Sequence, residues 1–315
     1  MTAAALPATQ SVGGILGRIS DMLVTRHRLL LALLLLPPML WLGIVYLGSL
    51  FALLAQSFFS IDEFSGTIVR EPTLRTYGEL AQPANLDIIL RTVAIATVVT
   101  VLAAIIAFPI AYYAARYARG RTKALFYLAV MMPLWSSYLV KIYAWKLLLA
   151  KEGAVGWAMS AISATPLLDA VLGLPTVGGP SLSVSYIGMV LVFLYLWIPF
   201  MVLPVQAALE RVPKTLIEAS GDLGASPGQT FRNVILPLAF PGVVAGSIFT
   251  FSLTLGDYIV PQIVGPSSLI LGQVVYAQQG LAGNIPLAAA FSVVPIVIMG
   301  IFLTIAKRTG AFDAI

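Results

Sequence analysis

Val212-Pro-Lys-Thr-Leu-Ile-Glu-Ala-Ser-Gly-Asp-Leu-Gly-Ala-Ser-Pro-Gly-Gln-Thr-Phe-Arg-Asn-Val-Ile-Leu-Pro237 is the stretch on which the reading of this chain turns. Pro213 suits the first position of a helix, where its missing N–H would be unpaired in any case. From there Leu216, Ala219, Ser220 and Leu223 recur along one face, while Lys214, Glu218 and Asp222 fall on another. Lys214 and Glu218 stand one turn apart. Gly224 sits where a left-handed terminating residue is wanted. Directly after it, Ser226-Pro227-Gly228-Gln229 reads as a capping box, with Ser226 as the cap and Pro227 opening a second helix. That helix runs through Phe231 and Val234 to Leu236-Pro237. The segment therefore specifies a short amphipathic helix, a sharp corner and a second helix. The small residues Ala219, Ser220, Gly221 and Gly224 let another backbone approach closely.

Outward from this corner the chain is apolar on both sides. Of 315 residues 59% are hydrophobic and only 10% charged. A soluble domain carries about 25% charged residues to wet its surface, so this chain's outer solvent is lipid. A membrane helix needs about 20 apolar residues to cross ~30 Å of hydrocarbon. Six segments qualify: Leu29–Ala55, Thr92–Ala115, Ala124–Leu148, Tyr186–Gln206, Leu238–Val260 and Leu287–Ala306. The first is too long for the apolar part of a secretory signal and reads as a retained anchor. Its Pro37-Pro38 pair marks a kink or a break. Pro109, Pro133, Pro199, Pro204, Pro241 and Pro295 recur in the other spans, which points to a packed bundle whose neighbours satisfy the freed carbonyls.

Lysine and arginine set the orientation. Arg18, Arg26, Arg28, Arg116, Arg119, Arg121, Lys123, Arg211, Lys214, Arg232, Lys307 and Arg308 fall on one side, twelve of the 18 basic residues. Arg70, Arg75, Arg91, Lys141, Lys146 and Lys151 make up the other six of the 18. The first side is assigned to the cytoplasm, together with both termini. The outward loops, Gln56–Arg91, Leu149–Ser185 and Gln262–Pro286, show little helical pattern and read as caps over the bundle. The organisation expected is a cytoplasmic segment at 1–28, a first transmembrane helix at 29–55, a five-helix core at 87–307 holding the cytoplasmic loop 212–237, and a tail at 308–315. The fold class is all-α.

Composition also excludes chemistry. The chain has no cysteine and one histidine, His27, which removes thiol nucleophiles, iron–sulfur clusters and Cys/His metal sites. No Gly-Lys dipeptide is present, so there is no phosphate-cradling loop, and nucleotide chemistry belongs to another subunit. No catalytic constellation and no metal site is expected, and nothing calls for nucleic acid.

Glu218-Ala219-Ser220, three residues, Gly224, nine residues, Val234, one residue, Leu236-Pro237 resembles the EAA signature of binding-protein-dependent ABC importer permeases. Ser220 stands where that pattern has a second alanine, and Val234 where it has isoleucine; the spacing is intact. The resemblance implies a type I importer permease fold in the bacterial inner membrane, with the loop as a coupling helix on a cytoplasmic ATPase. It assigns Glu218, Ala219, Ser220, Gly224, Leu236 and Pro237 to that contact. It further implies two ABC ATPase subunits that bind ATP and magnesium, a second permease subunit forming a heterodimer, and an extracytoplasmic solute-binding protein. No cofactor is held by this chain, and the permease is not an enzyme. Pro133 to Trp145 and Gly256 to Gly265 are similar to segments of spermidine/putrescine permeases, which implies a polyamine or related amine as substrate. Permeases for amino-acid derivatives, opines, phosphonates or iron share parts of these segments. An ion-coupled secondary carrier is the alternative class, but it would carry internal repeats and mid-bilayer charges, and neither is present.

Charged residues within spans mark function by default. Asp257 lies about twenty residues beyond Pro237, hence ~30 Å along the fifth span, toward the outer boundary. Lys141 and Lys146 lie toward the outer end of the third. Asp257 can attract a cationic substrate, with Tyr258, Tyr138 and Trp135 offering aromatic faces and Lys141 nearby. Alternatively Asp257 pairs with Lys141 or Lys146, or caps a helix. Thr250, Ser252 and Thr254 either line a polar path or bond back within their own helix.

Overall fold

The computed structural model describes residues 27–62 and 64–308. The expected N-terminal segment, with Arg18 and Arg26, lies almost wholly outside the described residues, as does the tail beyond Arg308. The described residues fall into two units, one ending at Gln56 and one beginning at Ser57.

The first unit is one apolar rod. Helix α1 (His27–Leu40) continues through Pro37 and Pro38 and widens into a π-helical stretch, Trp41–Leu47, before α2 (Gly48–Gln56). The proline pair neither breaks the helix nor ends it. Leu30–Gln56 is long and apolar enough to cross a membrane.

The second unit opens with a small hairpin, β1 (Ser60–Ile61) against β2 (Ile68–Val69), and a short helix α3 (Arg75–Leu80). Its centre is three long helices packed on one another: α4 (Pro83–Arg116), α9 (Tyr186–Arg211) and α12 (Leu236–Gly256). On α4 the buried residues Val99, Ala103, Ala107 and Ala111 repeat every four positions, giving a flat stripe of mostly small side chains. In lipid there is no hydrophobic gain from helix association, so close backbone approach and dispersion hold such a bundle together. This stripe joins Val192, Phe193, Met201, Val202 and Val205 of α9 in the main core cluster. Where α12 crosses α9 the approach is close at Gly242 and Gly246: a Cβ at Gly242 would lie 2.5 Å from Ala208 Cβ and 2.6 Å from the Pro204 carbonyl oxygen, and one at Gly246 3.0 Å from Met201 Cα. The last long helix, α15 (Ile285–Arg308), packs on α12 and on α14 (Leu271–Gly280).

The third expected span is not one straight helix. It consists of α5 (Gly120–Trp135) and α6 (Tyr138–Leu148), bent by 96° at Ser136-Ser137. The sixteen residues of α5 rise about 24 Å at 1.5 Å each, somewhat short of the hydrocarbon thickness. Both ends of α6 are fastened to one end of the bundle. Tyr138 bonds Asp257 just past α12, and the Leu149 carbonyl accepts the Ser183 N–H at 3.0 Å, just ahead of α9. Among the described residues there are thus five helices able to span, or six if the bent pair counts as one.

The connections on that end are more ordered than their sequences suggest. The expected caps contain α7 (Ala154–Ala161), α8 (Thr165–Leu172), a 3-10 turn at Leu182–Val184 and α14, and α13 (Ile259–Ile263) leads into the last of them. They are laced to the long helices. Thr92 Oγ1 accepts the Leu271 N–H at 3.0 Å, Arg91 donates to the Leu269 carbonyl at 3.3 Å, and Ser185 Oγ caps α9 by accepting the Gly188 N–H at 3.0 Å.

Candidate functional site

The first candidate lies at the opposite end of the bundle from these caps. Val212 leaves α9, and α10 (Lys214–Asp222) begins after it, with Pro213 as the extended residue ahead of the helix instead of its first turn. At the far end Gly224 has φ +82°, the left-handed conformation its position calls for. The Gly224 N–H donates to Gly221 O at 2.8 Å and the Ala225 N–H to Ser220 O at 3.1 Å, the paired bonds that close a helix on a left-handed glycine. The capping box is present as read: Ser226 N donates to Gln229 Oε1 at 2.8 Å, and Gln229 N to Ser226 Oγ at 3.4 Å. Helix α11 (Pro227–Thr230) then passes through a π-helical stretch, Phe231–Ile235, straight into α12.

This corner has an inner and an outer side. Ile217 packs on the main core cluster, and the Ser220 and Thr230 hydroxyls are 3.0 Å apart, tying α10 to α11. Leu216, Glu218, Ala219 and Leu223 are exposed, Leu223 by 88%. Of the apolar face read from the sequence, only Ser220 turns inward. Glu218 has no ion-pair partner among the described residues, Lys214 included. Leu236 and Pro237 are also exposed, at the start of α12.

The second candidate is the bend after α12. Asp257 is extended, ending α12, and its Oδ1 accepts the Ile259 and Val260 N–H groups at 2.8 and 2.9 Å. Its Oδ2 accepts the Tyr138 hydroxyl. The carboxylate is therefore a helix cap clamped by a tyrosine, and the expected pairing with Lys141 or Lys146 does not occur. Lys141 instead donates to the Pro133 carbonyl at 2.8 Å, an acceptor at the bend that it shares with the Ser136 hydroxyl at 3.1 Å. The Tyr138 ring stacks on Trp197 at 6.0 Å, and Tyr258 stacks on Tyr276 at 4.9 Å. Trp197, Ser252, Asp257 and Tyr258 line a cleft of about 330 Å³. The Trp197 indole N–H is buried with no hydrogen-bond partner among the described residues. Trp135 stands apart, 74% exposed at the end of α5. Thr250 and Thr254 are buried and bond back to the Gly246 and Thr250 carbonyls, so their hydroxyls are used within the helix.

Residues 107–309 match the family of binding-protein-dependent transport system inner membrane components. The chain belongs to that family. It is 57% identical over 300 residues to the inner membrane ABC transporter permease protein YdcU of Escherichia coli K12, covering 95% of this chain and 96% of the relative. It is 29% identical over 237 residues to the spermidine/putrescine transport system permease protein PotB of Salmonella typhimurium SL1344, covering 75% of this chain and 78% of that one. Its fold is similar to a chain of a bacterial alginate ABC transporter crystallised with an alginate pentasaccharide-bound periplasmic protein. There the TM-score is 0.69 at 13% identity, over 92% of this chain and 96% of the other. The protein is a multi-pass ABC importer permease subunit of the inner membrane, and it is not itself catalytic.

The permease also carries polar contacts that no local pattern announces. Lys123 at the start of α5 pairs with Glu210 near the end of α9 at 2.9 Å. Tyr127 donates to the same carboxylate at 3.1 Å, and Gln206 at 3.0 Å. Arg116 donates to the Val212 carbonyl at 3.2 Å. Of the basic cluster Arg116–Lys123, only Arg119 and Arg121 are left fully exposed.

Proposed function

We propose that this permease subunit serves an ATP-driven importer of polyamines or a related small amine, and that α10 with its corner is the handle gripped by a separate ATPase. The single observation carrying this reading is the split character of the corner. Ile217 and the Ser220–Thr230 pair fix it to the bundle, while Leu216, Ala219, Leu223 and an unpaired Glu218 face outward. A helix that transmits force must be rigid toward its own bundle and open toward its partner. Two ATPase subunits holding ATP and magnesium, a second permease subunit and an extracytoplasmic solute-binding protein complete the assembly. The excess of basic residues at the corner's end of the bundle supports a cytoplasmic placement of both termini.

Support for an amine substrate comes from the likeness to PotB and from Asp257 beside Tyr138, Tyr258 and Trp197. An incoming ammonium competes with the Tyr138 hydroxyl for the carboxylate, and the aromatic rings offer cation–π faces.

The chain has no cysteine, so a single cysteine at Ala219 or Leu223 is a unique cross-linking handle. It should capture a co-purified nucleotide hydrolase; an assembled transporter without such a cross-link would overturn the coupling role. Asp257→Asn keeps an oxygen for the α13 cap and removes the charge. It should lower putrescine or spermidine uptake about tenfold, the equivalent of 1.4 kcal/mol. Unchanged uptake would remove Asp257 from the path.

A further inference from the structure

Besides the packing of Ile217 on the core, one face of one helix holds the corner at both its entry and its exit. Phe108, Tyr112 and Arg116 stand four residues apart on α4 and so share a face. Arg116 grips the corner at its entry by donating to Val212 O at 3.2 Å. Phe231 meets the same face at the exit, edge-on to Phe108 at 5.6 Å and to Tyr112 at 6.0 Å. The Val212 carbonyl is one of the terminal acceptors that α9 cannot satisfy within itself. Val212 is only 4% exposed, so water does not easily reach it.

Arg116 differs from its basic neighbours in how it is spent. Its Nε is buried with no hydrogen-bond partner among the described residues, while Arg119 and Arg121 lie in the open. Burying guanidinium nitrogen carries a desolvation cost that a headgroup-anchoring arginine avoids by snorkelling. The opposite end of α4, 24 residues or about 36 Å from Arg116, is bonded just as firmly. There Arg91 and Thr92 hold Leu269 and Leu271 at the entry to α14. Between the two ends, the stripe of Val99, Ala103, Ala107 and Ala111 packs in the core cluster with α9.

We infer that α4 is the strut that carries movement of the corner into the core, with Arg116 as the positioning residue that makes corner and strut one rigid body. This rests on the reading of α10 as the ATPase contact.

The test uses the assembled transporter in lipid nanodiscs, with spin labels on cysteines at Leu223 and Leu90. Both positions are exposed, at 88% and 68%, in a chain without native cysteine. Distances are measured without nucleotide and after trapping with ATP and vanadate. In the otherwise native chain the Leu223–Leu90 distance should hold within about 2 Å between the two states, while the distance from Leu223 to a label on the second permease subunit changes. In Arg116→Met the Leu223–Leu90 distribution should broaden or shift by about a helical turn, ~5 Å, on trapping, and Arg116→Lys should restore part of the native behaviour. A native-chain distance that changes on trapping overturns the strut, and so does an Arg116→Met protein that behaves like the native one. Should Arg116→Met fail to assemble, Phe231→Leu removes the exit contact and is read in the same way. If no ATPase assembles with the permease, the coupling reading falls and takes this inference with it. If an ATPase assembles and the native distance changes, only the strut falls.

Discussion

Two glycines three residues apart should respond oppositely to the same methyl group. Gly224 has φ +82°, and a Cβ there meets nothing within 4 Å. Gly224→Ala therefore carries no steric clash with neighbours. What it costs is the left-handed backbone of an L-residue, about 1–2 kcal/mol. Gly221 lies inside α10, where a Cβ also meets nothing within 4 Å. There alanine is the better helix former by roughly 0.5–1 kcal/mol. Both effects fall on one local equilibrium, the opening of the turn closed by the Gly224 N–H to Gly221 O and Ala225 N–H to Ser220 O bonds. A cost of about 1–2 kcal/mol multiplies the open population about 5- to 30-fold. The gain at Gly221 lowers it roughly 2- to 5-fold.

Hydrogen–deuterium exchange in detergent, read by mass spectrometry on peptides covering 219–230, measures that population directly. Gly224→Ala should exchange faster than the native chain and Gly221→Ala no faster. Because the turn is solvent-exposed and local, the thermal midpoint of the bundle should stay put in both. Equal exchange in the two variants, or faster exchange in Gly221→Ala, would refute the argument that backbone handedness fixes this corner.

Two further changes test the elements beside it. Ser226→Ala deletes the acceptor for the Gln229 N–H, a 3.4 Å bond, so the loss should sit at the low end of the usual 0.5–2 kcal/mol for a cap; faster exchange at Gln229 with the Gly224 turn unaltered is the expected signature. Gly242→Val places a branched side chain 2.5 Å from Ala208 Cβ and 2.6 Å from the Pro204 oxygen; backbone cannot yield as a side chain can, so about 1–3 kcal/mol of stability should be lost and the melting temperature in detergent should fall, an unchanged midpoint being the contrary result.

The turn and the capping box of the corner were legible because local chemistry decides them, whereas the inward face of α10 and the place of Pro213 were not. A left-handed glycine, a serine–glutamine box and a proline at a helix start each act within four residues of themselves. The bend between α5 and α6 was not legible, for a physical reason. Proline lies inside α4, α9, α12 and α15 as well, and those helices run on through it. What turns the chain after Pro133 is long-range: Tyr138 reaching Asp257, and Leu149 receiving Ser183. Distance in sequence likewise hid the Lys123–Glu210 pair and the Arg116–Val212 bond. Basic residues counted as markers of sidedness turn out to have partners 96 residues away in the case of Arg116. For Asp257 the helix cap was among the readings the sequence allowed, and the structure selects it over a lysine pair; the tyrosine clamp was not legible, since Tyr138 lies 119 residues away.

The two candidate sites are joined by one continuous helix. From Pro227, just after the capping box, to Gly256, just before Asp257, the chain runs as a single span of 30 residues. Gly242, one of two points of close approach to α9, lies 15 residues from one end and 14 from the other. A rod held near its midpoint converts a displacement at one end into a comparable, opposite one at the other. Helix shifts of about 1–2 Å are ordinary in switching proteins. A hydrogen bond is useful only over about half an ångström of donor–acceptor distance. A tilt of α12 that moves the corner by so little would therefore suffice to part Asp257 from the Tyr138 hydroxyl. The carboxylate would then be free for an ammonium group when the corner is pulled one way, and closed by tyrosine when it is pulled the other. Were α12 to tilt, Gly242 and Gly246, where a Cβ would press on α9, would mark the place about which it turned.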